Sequence, residues 1–190
     1  MYLRGDKMKL INIWKHFKKI CIHKFYVAKF CFQAGLYYQG IMHDMSKFSP
    51  TEFIESVKYY QGYKSPIDAC KKINGYSKAW LHHKGRNPHH YQYWCDNFDD
   101  YRKKGLTLIP MPYEYAVEML CDYLGAAHAY NGNKFTFGGE YEWWKKKKNA
   151  AMHENTKRFI DECLFIMMEE NSSRLLSSEK LKQIYNKYNQ

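Results

Sequence analysis

The sequence predicts an all-α chain folded as a single-domain helical bundle, on three observations. Apolar residues recur at helical spacing over most of its length. Ser-Pro starts and glycine stops punctuate those stretches. No run has the character of a convincing strand. With 190 residues, the chain is long enough for one domain with a substantial core. Residues 1–170 are expected to form the helical domain, with 171–190 as a C-terminal helix packed on its outside.

The first helix is expected from about Lys9 to Gly35. Ile13, Phe17, Ile20, Val27, Phe30 and Ala34 set its apolar spacing, and Gly35 or Gly40 ends it. His23 lies about one turn from Ile20 and Val27, so it faces the core. His43-Asp44 falls on the next helix or at its start. Ser49-Pro50-Thr51-Glu52 reads as a capping box that opens a helix to about Tyr60, and this role accounts for Glu52. Ser65-Pro66-Ile67-Asp68 opens another in the same way. Ser77 caps a short helix through His83. Gly85 and Asn87-Pro88 break it, and Pro88 is expected to start a further helix with His89 and His90 in its first turn. After Pro110-Met111-Pro112 comes a helix from about Tyr113 to Tyr130, with Glu118 and Asp122 four apart on one face. Glu118 is assigned to an exposed face in preference to a base set behind the ligands. A glycine-rich loop spans Asn131 to Gly139. Three helices follow, about Glu140–Ala150, His153–Glu169 and Ser177–Tyr188.

The composition, 45% hydrophobic and 26% charged, is that of a globular protein. No segment holds the roughly 18 uninterrupted apolar residues of a membrane helix, and MYLRGDKMKL has no signal-peptide core. A soluble, cytoplasmic protein with no membrane partner is expected. The six cysteines are scattered without a C-x-x-C pair, which argues against a disulfide framework or a zinc knuckle. The net charge of +11 points to an anionic partner. A phosphorylated small molecule, a nucleotide foremost, is favoured over nucleic acid, because the run Lys145 to Lys148 reads as a solvated helix face.

The histidines carry the chemistry. His23 is followed by His43-Asp44, then His82-His83 and His89-His90, then Asp122 in an apolar helical segment. Imidazole and carboxylate together suit a divalent metal of intermediate hardness, such as Mn, Fe, Co, Ni or Zn, as one or two ions. Ligands spread over about 100 residues imply a centre built inside a bundle. A buried Asp122 needs a strong partner, and a metal is favoured over a salt bridge to Arg86 or a lysine. Lys47 and Arg86, each three residues past a candidate ligand, are the candidate phosphate binders. The segment Gly132 to Gly139 is expected to edge the pocket. Tyr91, Tyr93 and Trp94 are read as packing residues, and His16, His128 and His153 receive no partner.

This order resembles the HD-domain superfamily of metal-dependent phosphohydrolases. The resemblance implies a first metal on His23, His43, Asp44 and Asp122. It implies a second held by histidines from the two later pairs, with Asp44 bridging. Neighbours on a helix point about 100° apart, so one of each pair ligates. His83 and His90 are taken as ligands, while His82 and His89 brace them or protonate a leaving oxygen. Asp44, His82, His89, Lys47 and Arg86 thus form the catalytic set for hydrolysis of a nucleotide or other phosphoester by a metal-activated water. Many HD enzymes place acidic residues after the dyad, where this chain has Met45-Ser46-Lys47, so the general acid or base stays open. A di-iron HD-type oxygenase and a non-catalytic nucleotide- or partner-binding protein are the alternatives. The strings HDMSKFSPTEF, AWLHHKGRNPHHYQYW and MPYEYAVEMLCDYLGA, over about residues 20–130, are similar to an uncharacterised family of small bacterial and phage proteins.

Overall fold

A computed structural model describes residues 10–98, 105–147 and 150–189. The segment MYLRGDKMK and Lys148 lie outside them. The elements are α1 (Leu10–Gln33), α2 (Tyr37–Met42), α3 (Pro50–Lys58), α4 (Pro66–Asn74), α5 (Lys78–Lys84), β1 (Cys95–Phe98), β2 (Gly105–Leu108), α6 (Tyr113–Asn131), α7 (Phe137–Lys145), α8 (Glu154–Glu170) and α9 (Ser178–Tyr188). Short 3-10 turns cover Met45–Phe48, Tyr91–Trp94 and Gly132–Lys134. The fold is all-α, and no helix among the described residues is long and apolar enough to cross a membrane.

Side-chain caps place the helix starts where the sequence puts them. The Ser49 hydroxyl accepts from the Glu52 N–H at 3.4 Å, and the Ser77 hydroxyl from the Trp80 N–H at 3.0 Å. Pro50 and Pro66 open their helices with a ring that needs no N–H partner. Gly75, at φ 80°, closes α4 in the left-handed conformation.

Three elements differ from expectation. Pro88 opens no α-helix. The Asn87 side-chain amide donates to the His83 carbonyl at 2.7 Å and closes the end of α5. The chain then turns, with His90 extended ahead of the 3-10 turn. Strands β1 and β2 pair antiparallel, from Cys95 opposite Leu108 to Phe98 opposite Gly105; four residues each are too few to write a readable alternation. Helix α7 starts before Glu140, because Thr136 caps the Gly139 N–H at 3.0 Å and carries the glycines into the first turn. Phe17, expected inside, is 39% exposed.

Helix α6 is the central element, buried from Ala116 through Gly125 without a polar face open to solvent. It packs against α1, α7, α8 and α9. Its closest crossing with α1 is at Gly125, where an added Cβ would stand 3.0 Å from the Val27 backbone nitrogen and collide with the Val27 side chain. Only glycine lets the two helices approach this closely. The same core takes in Leu181 and Ile184 of α9, and the Tyr185 hydroxyl donates to the Met111 carbonyl at 2.8 Å.

Gly125→Ala should lower unfolding free energy by about 1–3 kcal/mol, the usual cost of overpacking, as a urea titration would measure. A second expectation concerns Glu140, 6% exposed in the first turn of α7, whose carboxyl burial pushes up to about 8. It is neutral in the fold while the unfolded chain ionises from its ordinary value upward. Its contribution is therefore lost as pH rises from about 4.5 toward 8. Glu140→Gln should leave the melting temperature little changed at pH 4.5 and raise it relative to the parent at pH 8; an equal difference at both would remove this assignment.

Candidate metal centre

The centre is assembled from five places in the chain. Helix α1 supplies His23, and α5 supplies His83. The break after Pro88 supplies His89 and His90, and α6 supplies Asp122. His43-Asp44 lies in the turn between α2 and the 3-10 turn that follows, with His43 capping the end of α2 and Asp44 at the entry of the 3-10 turn. Asp44 is left-handed there, at φ 55° and ψ 26°, a region that aspartate tolerates better than most residues. That turn buries both side chains, each 1% exposed.

The two oxygens of Asp44 face different partners. Oδ2 stands 3.3 Å from His23 Nε2 and 3.2 Å from His43 Nε2, and Asp122 Oδ1 lies 3.2 Å from His23 Nε2. Oδ1 stands 3.2 Å from His83 Nε2 and 3.4 Å from His89 Nε2. Two groups of four result, His23–His43–Asp44–Asp122 and Asp44–His83–His89–His90. In each, the ligand atoms lie within 4.8 Å of one another, close enough to hold a metal ion. Asp44 belongs to both.

Two glutamates aim the rings. Glu118 Oε1 accepts from His43 Nδ1 at 2.8 Å and from His89 Nδ1 at 3.0 Å. Glu52 accepts from His83 Nδ1 and His82 Nδ1, both at 2.7 Å. An ionised carboxylate only accepts, so each Nδ1 carries the proton and, in the neutral ring, each Nε2 of His43, His83 and His89 presents its lone pair to the centre. His23 Nε2 and His43 Nε2 are then 3.3 Å apart beside Asp44, an arrangement a cation between them would satisfy. Asp44 Oδ1, His89 Nε2 and His90 Nε2 are buried with no hydrogen-bond partner, which a polar group inside a protein rarely tolerates. The donor set and these orphaned atoms fit a divalent metal.

Burial opposes protonation of His43, but Asp44, Asp122 and Glu118 around it hold its imidazole well above the ordinary value, so a metal binding there would displace a proton. Burial opposes ionisation of Asp44, but His43, Lys47 and His83 around it hold its carboxyl well below the usual range. Burial likewise opposes ionisation of Asp122, and His23 and His43 outweigh it. Burial, with His89 and His83 beside it, holds His90 well below the ordinary imidazole value and so neutral.

His23, His43, Asp44, His83, His90 and Asp122 therefore come together as the sequence suggests, and Lys47 reaches Asp44 as an ion pair. Other assignments need correction. His89 is a member of the second ligand group rather than a residue behind it. His82 turns away to Glu52, with its side chain 21% exposed. Arg86 is exposed and its side chain makes no polar contact among the described residues, because the turn after α5 directs Asn87 inward and Arg86 outward. The segment Gly132 to Gly139 lines no part of the pocket beside the centre. Glu52 does more than cap: its N–H uses Ser49 while its carboxylate leaves for the histidines. Glu118 is 6% exposed, not on an exposed face. Its signal was present, since a residue four before the core-facing Asp122 must face the core too.

A pocket of about 210 Å³ opens beside both groups. His23, Lys47, His83, His90 and Asp122 form its inner wall, and Ile20, Pro66, Ile67, Trp80 and Ala126 are among its apolar sides.

Residues 12–166 match the family described as a family of unknown function (DUF5662). No curated protein and no solved structure matches the chain.

Glu118→Ala releases His43 and His89 together. Residues that orient metal ligands are typically worth about 10–100-fold in affinity. The variant should therefore lose divalent metal to a competing chelator at least tenfold more readily, while its helical circular dichroism is retained. Unchanged metal retention would show that packing alone aims the two rings.

Proposed function

We propose that this chain, which belongs to the DUF5662 family of unknown function, is a metal-dependent phosphohydrolase of the HD type. The observation that carries the reading is Asp44, whose two oxygens face two separate sets of ligand atoms at the wall of one pocket. Two-ion centres of this kind serve displacement at phosphorus.

When bound, divalent ions would supply a water acidic enough to ionise near neutral pH and positive charge for a phosphoryl oxygen. The remaining work belongs to the chain. His23, His43 and Asp122 fix one side of Asp44, while His83, His89 and His90 fix the other, so a phosphoryl group entering the pocket meets a rigid wall. Glu118 and Glu52 keep the imidazoles in the tautomer that ligates. Lys47 stays charged: burial works against it, and Asp44 and Asp122 more than restore it. Its ammonium stands at the same wall, placed to neutralise a non-bridging phosphate oxygen as charge develops. Arg86 takes no part. The apolar sides exclude water from around the organic part of the substrate.

The test is a phosphomonoester panel assayed on protein whose metal content has been measured by elemental analysis. Turnover should track metal content and be abolished by a chelator. Asp44→Asn should lower kcat on the order of 10²–10³-fold, the scale for removing a charge-stabilising group, while the protein still folds. Wild-type turnover in that variant would remove Asp44 from the reaction. Metal-dependent oxygen uptake without phosphate release would assign the centre to oxidation instead.

A further inference from the structure

One side of the pocket is not used by the ligand sets. His16 lies seven residues before His23 on the same face of α1, two turns or about 10 Å along the helix. It is 7% exposed, it lines the pocket, and its Nδ1 has no hydrogen-bond partner. The Phe53 and Tyr60 rings hold it, at 5.4 and 5.5 Å between centroids. Burial, with Lys47 nearby, pushes its imidazole down to about 4, so it is neutral. A protein rarely leaves such a buried group unpaired, and a ligand would supply its partner.

Lys19 is between His16 and His23 on that face. Its ammonium donates to the Ala129 carbonyl at 2.6 Å and stands 4.9 Å from the centre of the Tyr130 ring. One of its three hydrogens is thereby used, and the side chain is anchored at the pocket wall rather than free in solvent. Among the described residues, the only carboxylates lining the pocket are Glu52 and Asp122. Both are already engaged by histidines of the centre, so neither neutralises Lys19.

We infer that the arm of the pocket around Lys19 and His16 receives a second anionic group, a carboxylate or phosphate borne by the organic part of the substrate. The substrate class is then a short phosphoester with an anionic group at its other end, rather than a neutral alcohol phosphate. Lys19 supplies the charge, and His16 in its Nδ1–H tautomer supplies a fixed neutral donor. Ile20, Ile67 and Trp80 pack the carbons between. This rests on reading the centre as a phosphoester site, and the test is chosen to fail separately from that reading.

The experiment uses non-hydrolysable phosphonates and calorimetry on the metal-loaded protein, so no turnover is required. Propylphosphonate carries one anionic end; 3-phosphonopropionate and propane-1,3-diphosphonate carry two. At least one of the doubly anionic compounds should bind about tenfold or more tightly than propylphosphonate, the scale of a charge-assisted hydrogen bond. Lys19→Met should collapse that preference toward unity while leaving propylphosphonate affinity within about twofold. His16→Phe, which keeps a ring between Phe53 and Tyr60, should reduce the preference in the same direction. Equal binding of all three compounds by the parent protein overturns the inference, as does a preference that survives in Lys19→Met. Phosphate release from simple monoesters, measured in parallel, decides the phosphohydrolase reading on its own.

Discussion

A carboxylate that is 1% exposed and surrounded by imidazole nitrogens dictates how the rest of this bundle is built. Burying an ionised Asp44 is expensive unless strong partners surround it. Every element near the centre can be read as supplying one. The left-handed turn places it, Lys47 offsets its charge, and four helices or turns bring nitrogens to its two oxygens. The cost then moves outward, because histidines facing a carboxylate must be held in the right tautomer. Glu118 and Glu52 do this from helices α6 and α3, and they are buried for that reason.

The hydrophobic packing serves the same geometry. Helix α6 carries both Asp122 and Glu118, so any shift of α6 moves a ligand and a brace together. Gly125 sits one turn beyond Asp122 and fixes how near α6 comes to α1, which carries His23. A close packing contact therefore sets the spacing of two side chains that could hold a metal ion. Helices α7, α8 and α9 close the far side of α6 with Trp144, Phe159, Leu164 and Leu181. Their task is to keep that helix rigid.

Much of this was legible in the sequence, for identifiable reasons. Helix starts were readable because serine caps at Ser49 and Ser77 and N-terminal prolines at Pro50 and Pro66 act locally. His23 and Asp122 were readable because helical periodicity put them among core residues. What escaped depended on contacts distant in sequence. Nothing near Glu52 shows that its carboxylate leaves the capping box for histidines about 30 residues away. The choice between His82 and His83, or His89 and His90, turned on the path of the chain after α5, which Asn87 decides by closing the helix with its side chain. Arg86 looked well placed from its spacing to His83 alone, which does not show that the turn after α5 directs it outward. The hairpin β1–β2 was missed because its strands are stabilised by pairing with each other, not by a pattern within either one.

The scattering of the ligands also governs the life history of the centre. In a small zinc-organised domain, neighbouring ligands let the ion gather a local segment and so start folding. Here His23 and Asp122 are about a hundred positions apart, and the group His23–His43–Asp44–Asp122 is not complete until α6 has docked on α1. A nascent chain still lacking α6 has every member of Asp44–His83–His89–His90 but neither Asp122 of the other group nor Glu118, which aims His43 and His89. An ion between His23 and Asp122 would be acquired by the finished bundle, after the entropy of closing that long loop has been met. Its effect would fall on the rate of unfolding rather than of folding. Metal supply would then set how long a folded molecule lasts, not how quickly one is made.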